Sequence, residues 1–160
     1  MQVINNFINE TNVFESIVKE ILNPNFPWFF SPTTGHTNDN SDFLFYHWLY
    51  DDGKQTSAYF NNLLMPLLGR LHINSLIRSK VNLYTKKSKH IKTAFHTDQS
   101  EKHNVALFSI NTNNGYTLFK NKKKAPSIQN TICLFDGQLE HCSVAQTDKP
   151  YRINININYK

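Results

Sequence analysis

The stretch YRINININYK, residues 151–160, decides the fold, because its polar and apolar residues alternate strictly. Such alternation predicts a β-strand with isoleucines on one face and Arg152 with three asparagines on the other. If only the isoleucines face the core, this is a half-buried strand whose arginine lies in solvent. If both faces are buried, the polar face lines a cavity and Arg152 requires an anion, since a buried unpaired charge is costly.

Length and composition indicate one globular domain. The chain has 160 residues, enough for one core, and its 39% apolar content favours a packed globule. No apolar run approaches the ~20 residues that a membrane span needs, so we expect no membrane partner. The first residues lack the pattern of a signal peptide, and two cysteines cannot form a disulfide framework. We therefore expect a reducing cytoplasm.

The net charge of +5 comes mostly from two groups of lysines, at 80–92 and 120–124. These groups would suit an anionic partner. The favoured interpretation is that they keep turns and strand edges soluble, because no aromatic residues are interleaved with them as on a nucleic-acid surface.

Two helices are predicted in the first half of the chain. Residues 12–22 carry apolar side chains at helical spacing, with Asn12 and Glu15 placed as cap and reciprocal cap. Residues 57–71 have the spacing of a second helix, bent or restarted at Pro66.

The rest of the chain favours strands. An aromatic strand is expected near residue 29 and another at 43–50, separated by a polar stretch at 31–42 that we expect to be a mobile loop. Six further β-favouring segments follow without helices between them: 76–84, 90–98, 104–113, 115–120, 127–136 and 151–159. The pattern predicts a mostly β fold, an antiparallel sandwich or barrel with the N-terminal helices packed outside. We expect a single domain, 1–160, with helical support and N-terminal strands in 1–75 and the core strands in 76–160.

Two histidines and an aspartate form a candidate metal site. His96 and Asp98 lie two apart at a strand end and so share a face, and His141 follows 43 residues after Asp98. Two imidazoles and one carboxylate are the ligand set that binds ferrous iron on one triangular face of its coordination sphere and leaves the remaining coordination positions open. A closed zinc site would need a fourth ligand from Cys133 or Cys142, which is the less favoured alternative. The remaining histidines are not expected to be ligands: His36, His47, His72, His90 and His103.

Arg152 follows His141 by eleven residues, in the next strand. Its guanidinium can form two charge-assisted hydrogen bonds with one carboxylate, which a lysine cannot. The alternative for Arg152 alone is a solvated position near the end of the sequence.

In this order and spacing, HTD (96–98), His141 and Arg152, with VNLY (81–84) and NTNNGYTLF (111–119), resemble the iron(II)- and 2-oxoglutarate-dependent dioxygenases. Within these the sequence is similar to the prolyl 4-hydroxylase-like branch, including short members carried by bacteriophages, for which the host cytoplasm would be the location. The resemblance implies a double-stranded β-helix, or jelly roll. It also implies that His96, Asp98 and His141, called the triad below, bind iron and that Arg152 binds the distal carboxylate of 2-oxoglutarate.

Further cosubstrate contacts follow from the same resemblance. Tyr84 occupies the place of a tyrosine that family members often carry, Ser109 aligns with a second, and Asn154 stands where many relatives have a hydroxyl residue. Asn82 shares the face of Tyr84. Along the same strand we expect Arg78 and Lys80 to be solvated.

The implied activity is hydroxylation of a C–H bond with dioxygen, releasing succinate and CO2. The leading substrate is a prolyl or other residue of a peptide or protein, selected by loops 31–42 and 99–104. The first alternative is a nucleic-acid-modifying dioxygenase, although residues 152–160 lack the second arginine typical of that branch. The second is a non-catalytic jelly-roll binding protein.

Overall fold

The computed structural model describes residues 1–34 and 42–160, which form three helices and eleven strands. The helices are α1 (Thr11–Ile21), α2 (Phe60–Leu63) and α3 (Met65–Leu68). The strands are β1 (Gln2–Asn5), β2 (Phe29–Ser31), β3 (Leu44–Asp51), β4 (Lys54–Gln55), β5 (Leu76–Thr85), β6 (Asn104–Ser109), β7 (Asn113–Phe119), β8 (Lys124–Ser127), β9 (Thr131–Asp136), β10 (His141–Val144) and β11 (Tyr151–Tyr159).

The strands form two antiparallel sheets. The large sheet has the order β1-β9-β6-β11-β5-β3-β2, with β4 paired to β3, and the small sheet has the order β10-β7-β8. Side chains of the large sheet reach the small one: Arg152 of β11 bonds to Ser143 of β10 and to Thr117 of β7. The mostly β fold with helices outside, predicted from the sequence, is confirmed.

β11 lies inside the large sheet, paired with β5 on one side and β6 on the other. Its three isoleucines, Ile153, Ile155 and Ile157, are buried in one core cluster with Ile17 of α1. On the opposite face, Arg152 is only 3% exposed. Both faces of the strand are therefore buried, which settles the choice posed by its alternation in favour of a polar cavity.

The helical half follows the sequence except at its caps. α1 begins one residue earlier than predicted, its N-cap is Glu10, and no side chain caps it, so the assignment of Asn12 and Glu15 as capping pair was wrong. The segment 57–71 contains two four-residue helices, with Pro66 in the first turn of the second, as expected for a restart. No helix in the described residues is long and apolar enough to cross a membrane.

Four strands were missed and one was overpredicted. β4 has only two residues and β1, β8 and β10 only four each, too few for alternation to register, and β8 contains Pro126. The predicted strand 90–98 forms only two isolated bridges, from Lys92 and His96.

The predicted mobile loop at 31–42, and His36 within it, fall largely on residues 35–41, which lie outside the described part. At its end, Asp42 is buried and its Oδ1 lies 2.6 Å from Lys87 Nζ.

Candidate metal and carboxylate site

Backbone pairing brings the two site histidines together. His96 and His141 exchange N–H···O bonds of 2.9 Å in each direction, and their rings lie 4.8 Å apart. Each ring uses Nδ1 locally, His96 with the Ala94 carbonyl at 3.2 Å and His141 with the Leu139 carbonyl at 3.1 Å. Because Nδ1 is engaged, Nε2 of each ring is the atom left for a metal.

Asp98 completes the site. Its Oδ1 lies 3.9 Å from His96 Nε2 and 4.0 Å from His141 Nε2, and one ligand atom from each of the three residues lies within 4.8 Å of the others. The other oxygen, Oδ2, accepts hydrogen bonds from Asn158 at 2.8 Å and Asn156 at 3.1 Å. These asparagines come from the polar face of β11, so the strand orients the carboxylate.

Arg78 fixes the same aspartate from β5. Its NH2 donates to the Asp98 carbonyl at 2.9 Å and lies 3.6 Å from Oδ1, and its Nε donates to Asn158. Arg78 is thus part of the site, and its predicted solvated position was wrong. Lys80 likewise lines the cavity described below, so the same expectation was wrong for it. Alternation correctly assigned the face of β5 on which both residues lie. It does not indicate how far along β5 that face is covered by other parts of the fold.

The protonation states suit metal binding. Burial alone would raise the pKa of Asp98, but His141, the Asn158 hydrogen bond and Arg78 outweigh it and lower this pKa to about 2. Burial lowers the pKa of His141. A carboxylate beside a neutral imidazole is the form in which these side chains ligate a metal.

Arg152 lies in the same cavity. Its NH1 donates to Ser143 Oγ at 2.8 Å and to the Val144 carbonyl at 3.3 Å, and its NH2 donates to Thr117 Oγ1 at 3.2 Å. The guanidinium stacks over the Tyr84 ring at 5.3 Å. Its Nε has no hydrogen-bond partner, and no carboxylate of residues 1–34 or 42–160 pairs with it. A buried cation with spare donors and only neutral partners is suited to an anionic ligand.

The cavity has a volume of about 260 Å³ and contains both the triad and Arg152. Tyr84, Asn82 and Asn154, which were predicted as cosubstrate contacts, line this cavity. Asn82 donates to Asn154 Oδ1 at 3.0 Å, while Asn82 Oδ1 is buried without a partner among residues 1–34 and 42–160. Since buried polar atoms are normally bonded, this oxygen is a candidate contact for a ligand.

Ser109 is separated from this cavity. It lines a void of only about 10 Å³ on the far side of Arg152 and Leu107, which line both spaces. Leu107, two residues earlier on β6, is the side chain that reaches the main cavity.

Two residues that the sequence analysis missed, Ser143 and Thr117, bond to Arg152. Ser143 follows His141 by two residues on one strand, so period-two spacing could have identified it.

Three of the other histidines contact protein atoms instead. His47 bonds to the Pro27 carbonyl and Ser57 Oγ, His90 to the Ala145 carbonyl, and His103 to the Glu101 carbonyl. Among the described residues, the triad is the group whose side chains could hold a metal ion. Both cysteines are buried and free, and neither lies in this group, so the geometry gives no support to a cysteine-containing zinc site.

No protein-family model and no curated protein matches this sequence. Solved structures do match. A Trichoplax adhaerens prolyl hydroxylase, in complex with a hypoxia inducible factor peptide fragment, has a TM-score of 0.69 at 17% identity, over 99% of this chain and 82% of that one. A Pseudomonas putida prolyl-4-hydroxylase has a TM-score of 0.68 at 9% identity, over 99% and 91%.

The α-ketoglutarate-dependent epimerase SnoN from nogalamycin biosynthesis has a TM-score of 0.67 at 11% identity, over 99% of this chain and 76% of that one. At such identities the similarity establishes the fold. The chain therefore has the double-stranded β-helix fold of the 2-oxoglutarate and iron(II) oxygenases, as its sequence resemblance implied.

Proposed function

We propose that this protein is an iron(II)- and 2-oxoglutarate-dependent oxygenase that hydroxylates a C–H bond. The observation that carries the proposal is Arg152, a buried guanidinium without a carboxylate partner in the described residues, placed in one cavity with a two-histidine, one-carboxylate site. A metal site alone would fit many functions. A metal site combined with a carboxylate receptor fits a dicarboxylate that reaches from the arginine to the metal.

The residues present fit iron(II). His96, Asp98 and His141 supply the facial set of two nitrogens and one oxygen that leaves coordination positions open. A structural zinc site would close with a fourth protein ligand. When bound, iron with 2-oxoglutarate and dioxygen supplies the oxidation that hydroxylates the substrate and releases succinate and CO2.

The protein's own contribution is binding and orientation. Ser143 and Thr117 hold the guanidinium of Arg152, which leaves Nε free to donate to the distal carboxylate. Burial raises the pKa of Tyr84, so its phenol stays protonated and can donate a hydrogen bond to the same carboxylate. Asn156 and Asn158 keep Asp98 Oδ2 occupied, so that Oδ1 is turned toward the histidines.

A peptide or protein is the proposed primary substrate. Support comes from the similar Trichoplax adhaerens prolyl hydroxylase, which was solved with a peptide fragment. Against a nucleic-acid substrate, the polar face of β11 carries asparagines after Arg152 and no second arginine.

The test is iron-dependent turnover of 2-oxoglutarate. Purified protein with iron(II), 2-oxoglutarate and dioxygen is expected to form succinate, and Asp98→Ala is expected to abolish this activity and the 1:1 binding of iron, because the carboxylate ligand is lost. Asp52→Asn, which removes an exposed carboxylate from the turn before β4, is the control and should behave as wild type. Metal-independent binding of 2-oxoglutarate without succinate would instead favour a non-catalytic jelly-roll protein.

A further inference from the structure

The cavity contains a second cation that the proposed cosubstrate does not use. Lys80 projects from β5 into the cavity, where its Nζ lies 5.4 Å from the centre of the Trp48 ring. Trp48 is its cross-strand neighbour on β3, and Asn156 is its neighbour on β11. Since Asn156 also bonds to Asp98, Lys80 lies one strand away from a residue that touches a metal ligand.

Lys80 is distant from the Arg152 end of the cavity. Arg152 pairs with Tyr84, and Tyr84 and Lys80 are four residues apart on β5, or about 13 Å at roughly 3.3 Å per residue. The guanidinium is directed to hydroxyls of β7 and β10, whereas Lys80 lies over Trp48 of β3. A ligand held by Arg152 and the metal therefore leaves Lys80 for a second molecule.

The charge around Lys80 is incompletely balanced. Within the described part of the chain, Lys80 forms no ion pair and no side-chain hydrogen bond. Its cationic neighbour Arg78, 6.0 Å from the same Trp48 ring, is committed to Asp98. Burial, and then the Arg78 charge, lower the pKa of Lys80 by more than the Asp98 and Asp51 carboxylates raise it, so the ammonium is destabilised here and a bound anion would stabilise it.

We propose that the primary substrate carries a carboxylate that binds Lys80, next to an apolar group that packs on Trp48. The inference rests on the proposed function, because it assigns Arg152 to the cosubstrate, while Arg78, the third cation of the cavity, is bonded to Asp98. A single lysine suits a single carboxylate, whereas a nucleic acid needs several cations along its backbone. The carboxylate is either the side chain of an acidic residue in a peptide or the acid group of a small molecule, and the same ammonium would bind both.

The experiment measures binding by anaerobic calorimetry to protein loaded with iron(II), with and without 2-oxoglutarate. The peptide probes are octapeptides that contain one proline and one aspartate at varied spacing, each with an asparagine twin. The small-molecule probes are 3-phenylpropionate and its amide, and an oligothymidylate of eight nucleotides represents nucleic acid. We expect at least one acid to bind the wild type roughly tenfold or more tightly than its amide, the size of a charge-assisted hydrogen bond. Whether a peptide or phenylpropionate does so identifies the source of the carboxylate.

Three variants separate recognition from packing. Lys80→Met should remove the preference for acid over amide while leaving the affinity for 2-oxoglutarate within about twofold, and Lys80→Arg should keep most of the preference. Lys54→Met, at an exposed position on β4, removes the same charge and should change neither. If Lys80 only packs on Trp48, Lys80→Met will lower the melting temperature without affecting the preference, which overturns the proposal.

The remaining outcomes are equally decisive. Equal binding of every acid and its amide to the wild type overturns the proposal. It is also overturned if the oligothymidylate binds more tightly than any acid and Lys80→Met weakens that binding. The proposed function fails separately. If 2-oxoglutarate does not bind but Lys80→Met still removes the acid preference of the iron-loaded protein, the carboxylate subsite stands and the oxygenase proposal falls.

Discussion

Both faces of β11 are largely buried, but they differ in what they contact. The isoleucine face packs against core side chains below α1, and Ile155 is fully buried there. The opposite face is also largely buried, yet it keeps an unused hydrogen-bond donor, since Arg152 Nε has no partner in the described part of the chain. Burial alone therefore does not separate a structural face from a binding face. The distinguishing feature is whether the buried polar atoms are satisfied by the protein itself.

The largest expected effect is on the isoleucine face. Ile155→Ala should destabilise the protein by about 2–5 kcal/mol, because it removes buried methyl groups from a packed core and leaves a cavity. Chemical denaturation measures the loss, and Ile155→Val, with an expected cost of roughly 0.5–1.5 kcal/mol, is the matched smaller change. The affinity for 2-oxoglutarate of the fraction that stays folded should be unchanged. A change in that affinity larger than the change in stability would break the distinction between the faces.

Arg152→Ala is the converse change on the polar face. It should weaken 2-oxoglutarate binding by roughly 30-fold or more, since a buried charge pair broken on one side costs about 2–5 kcal/mol. Iron binding should survive, because the arginine bonds to hydroxyls and a carbonyl and not to the triad. Arg152→Lys should restore only part of the affinity, since lysine keeps the charge but cannot form two parallel hydrogen bonds with one carboxylate. Calorimetry that gives wild-type affinity for Arg152→Ala would leave the polar face without its proposed ligand.

A smaller effect is expected further along the same face. Asn158→Ala removes the 2.8 Å hydrogen bond to Asp98 Oδ2 and should lower the affinity for iron by about 10- to 100-fold, the usual effect of losing a partner of a metal ligand. Asn154→Ala is the control, because Asn154 contacts Asn82 and not Asp98. Competition with a chelator measures both. Equal losses in the two variants would show that the face responds as a whole and that the asparagines do not have separate roles.

The last prediction tests whether apolar packing also lowers the reactivity of a buried thiol. Cys133 lies in a second apolar cluster, and burial raises its pKa to about 11 from 9.0. Two pKa units reduce the thiolate fraction at pH 8 about 100-fold, so iodoacetamide should label Cys133 slowly until the protein unfolds. Mass spectrometry at pH 8, with and without denaturant, measures the ratio. Rapid labelling of the folded protein would mean that this cluster opens to solvent.

Much of the site was accessible from sequence because it depends on short-range spacing. Period-two alternation correctly placed Arg152 opposite the isoleucines, and the His-x-Asp pair is visible within three residues, although the strand expected there forms only isolated bridges. His141 was proposed as the third ligand from its place 43 residues after Asp98, and the family resemblance then supported it, although the strand that carries it was too short to be recognised. Pairing between the His96 and His141 backbones then brings these two candidate ligands together.

The errors concern position along a strand and not its face. Ser109 and Leu107 share a face of β6, and only the three-dimensional pairing shows that Arg152 and Leu107 separate Ser109 from the cavity. Arg78 and Lys80 were expected in solvent because alternation carries no information on where the facing strands end. Such positions depend on contacts between residues far apart in the chain, which local patterns do not encode.

The central place of β11 also bears on how the protein assembles during translation. β5 and β6 do not pair with each other, because β11 lies between them in the sheet. In the sequence, 41 residues separate the end of β6 at Ser109 from the start of β11 at Tyr151. While the ribosome makes those residues, both earlier strands have an open edge with unpaired backbone groups, which favours association with other chains. The sheet closes only after β11 emerges. Nascent chains halted before residue 151 should therefore depend on chaperones for solubility more than chains that include β11.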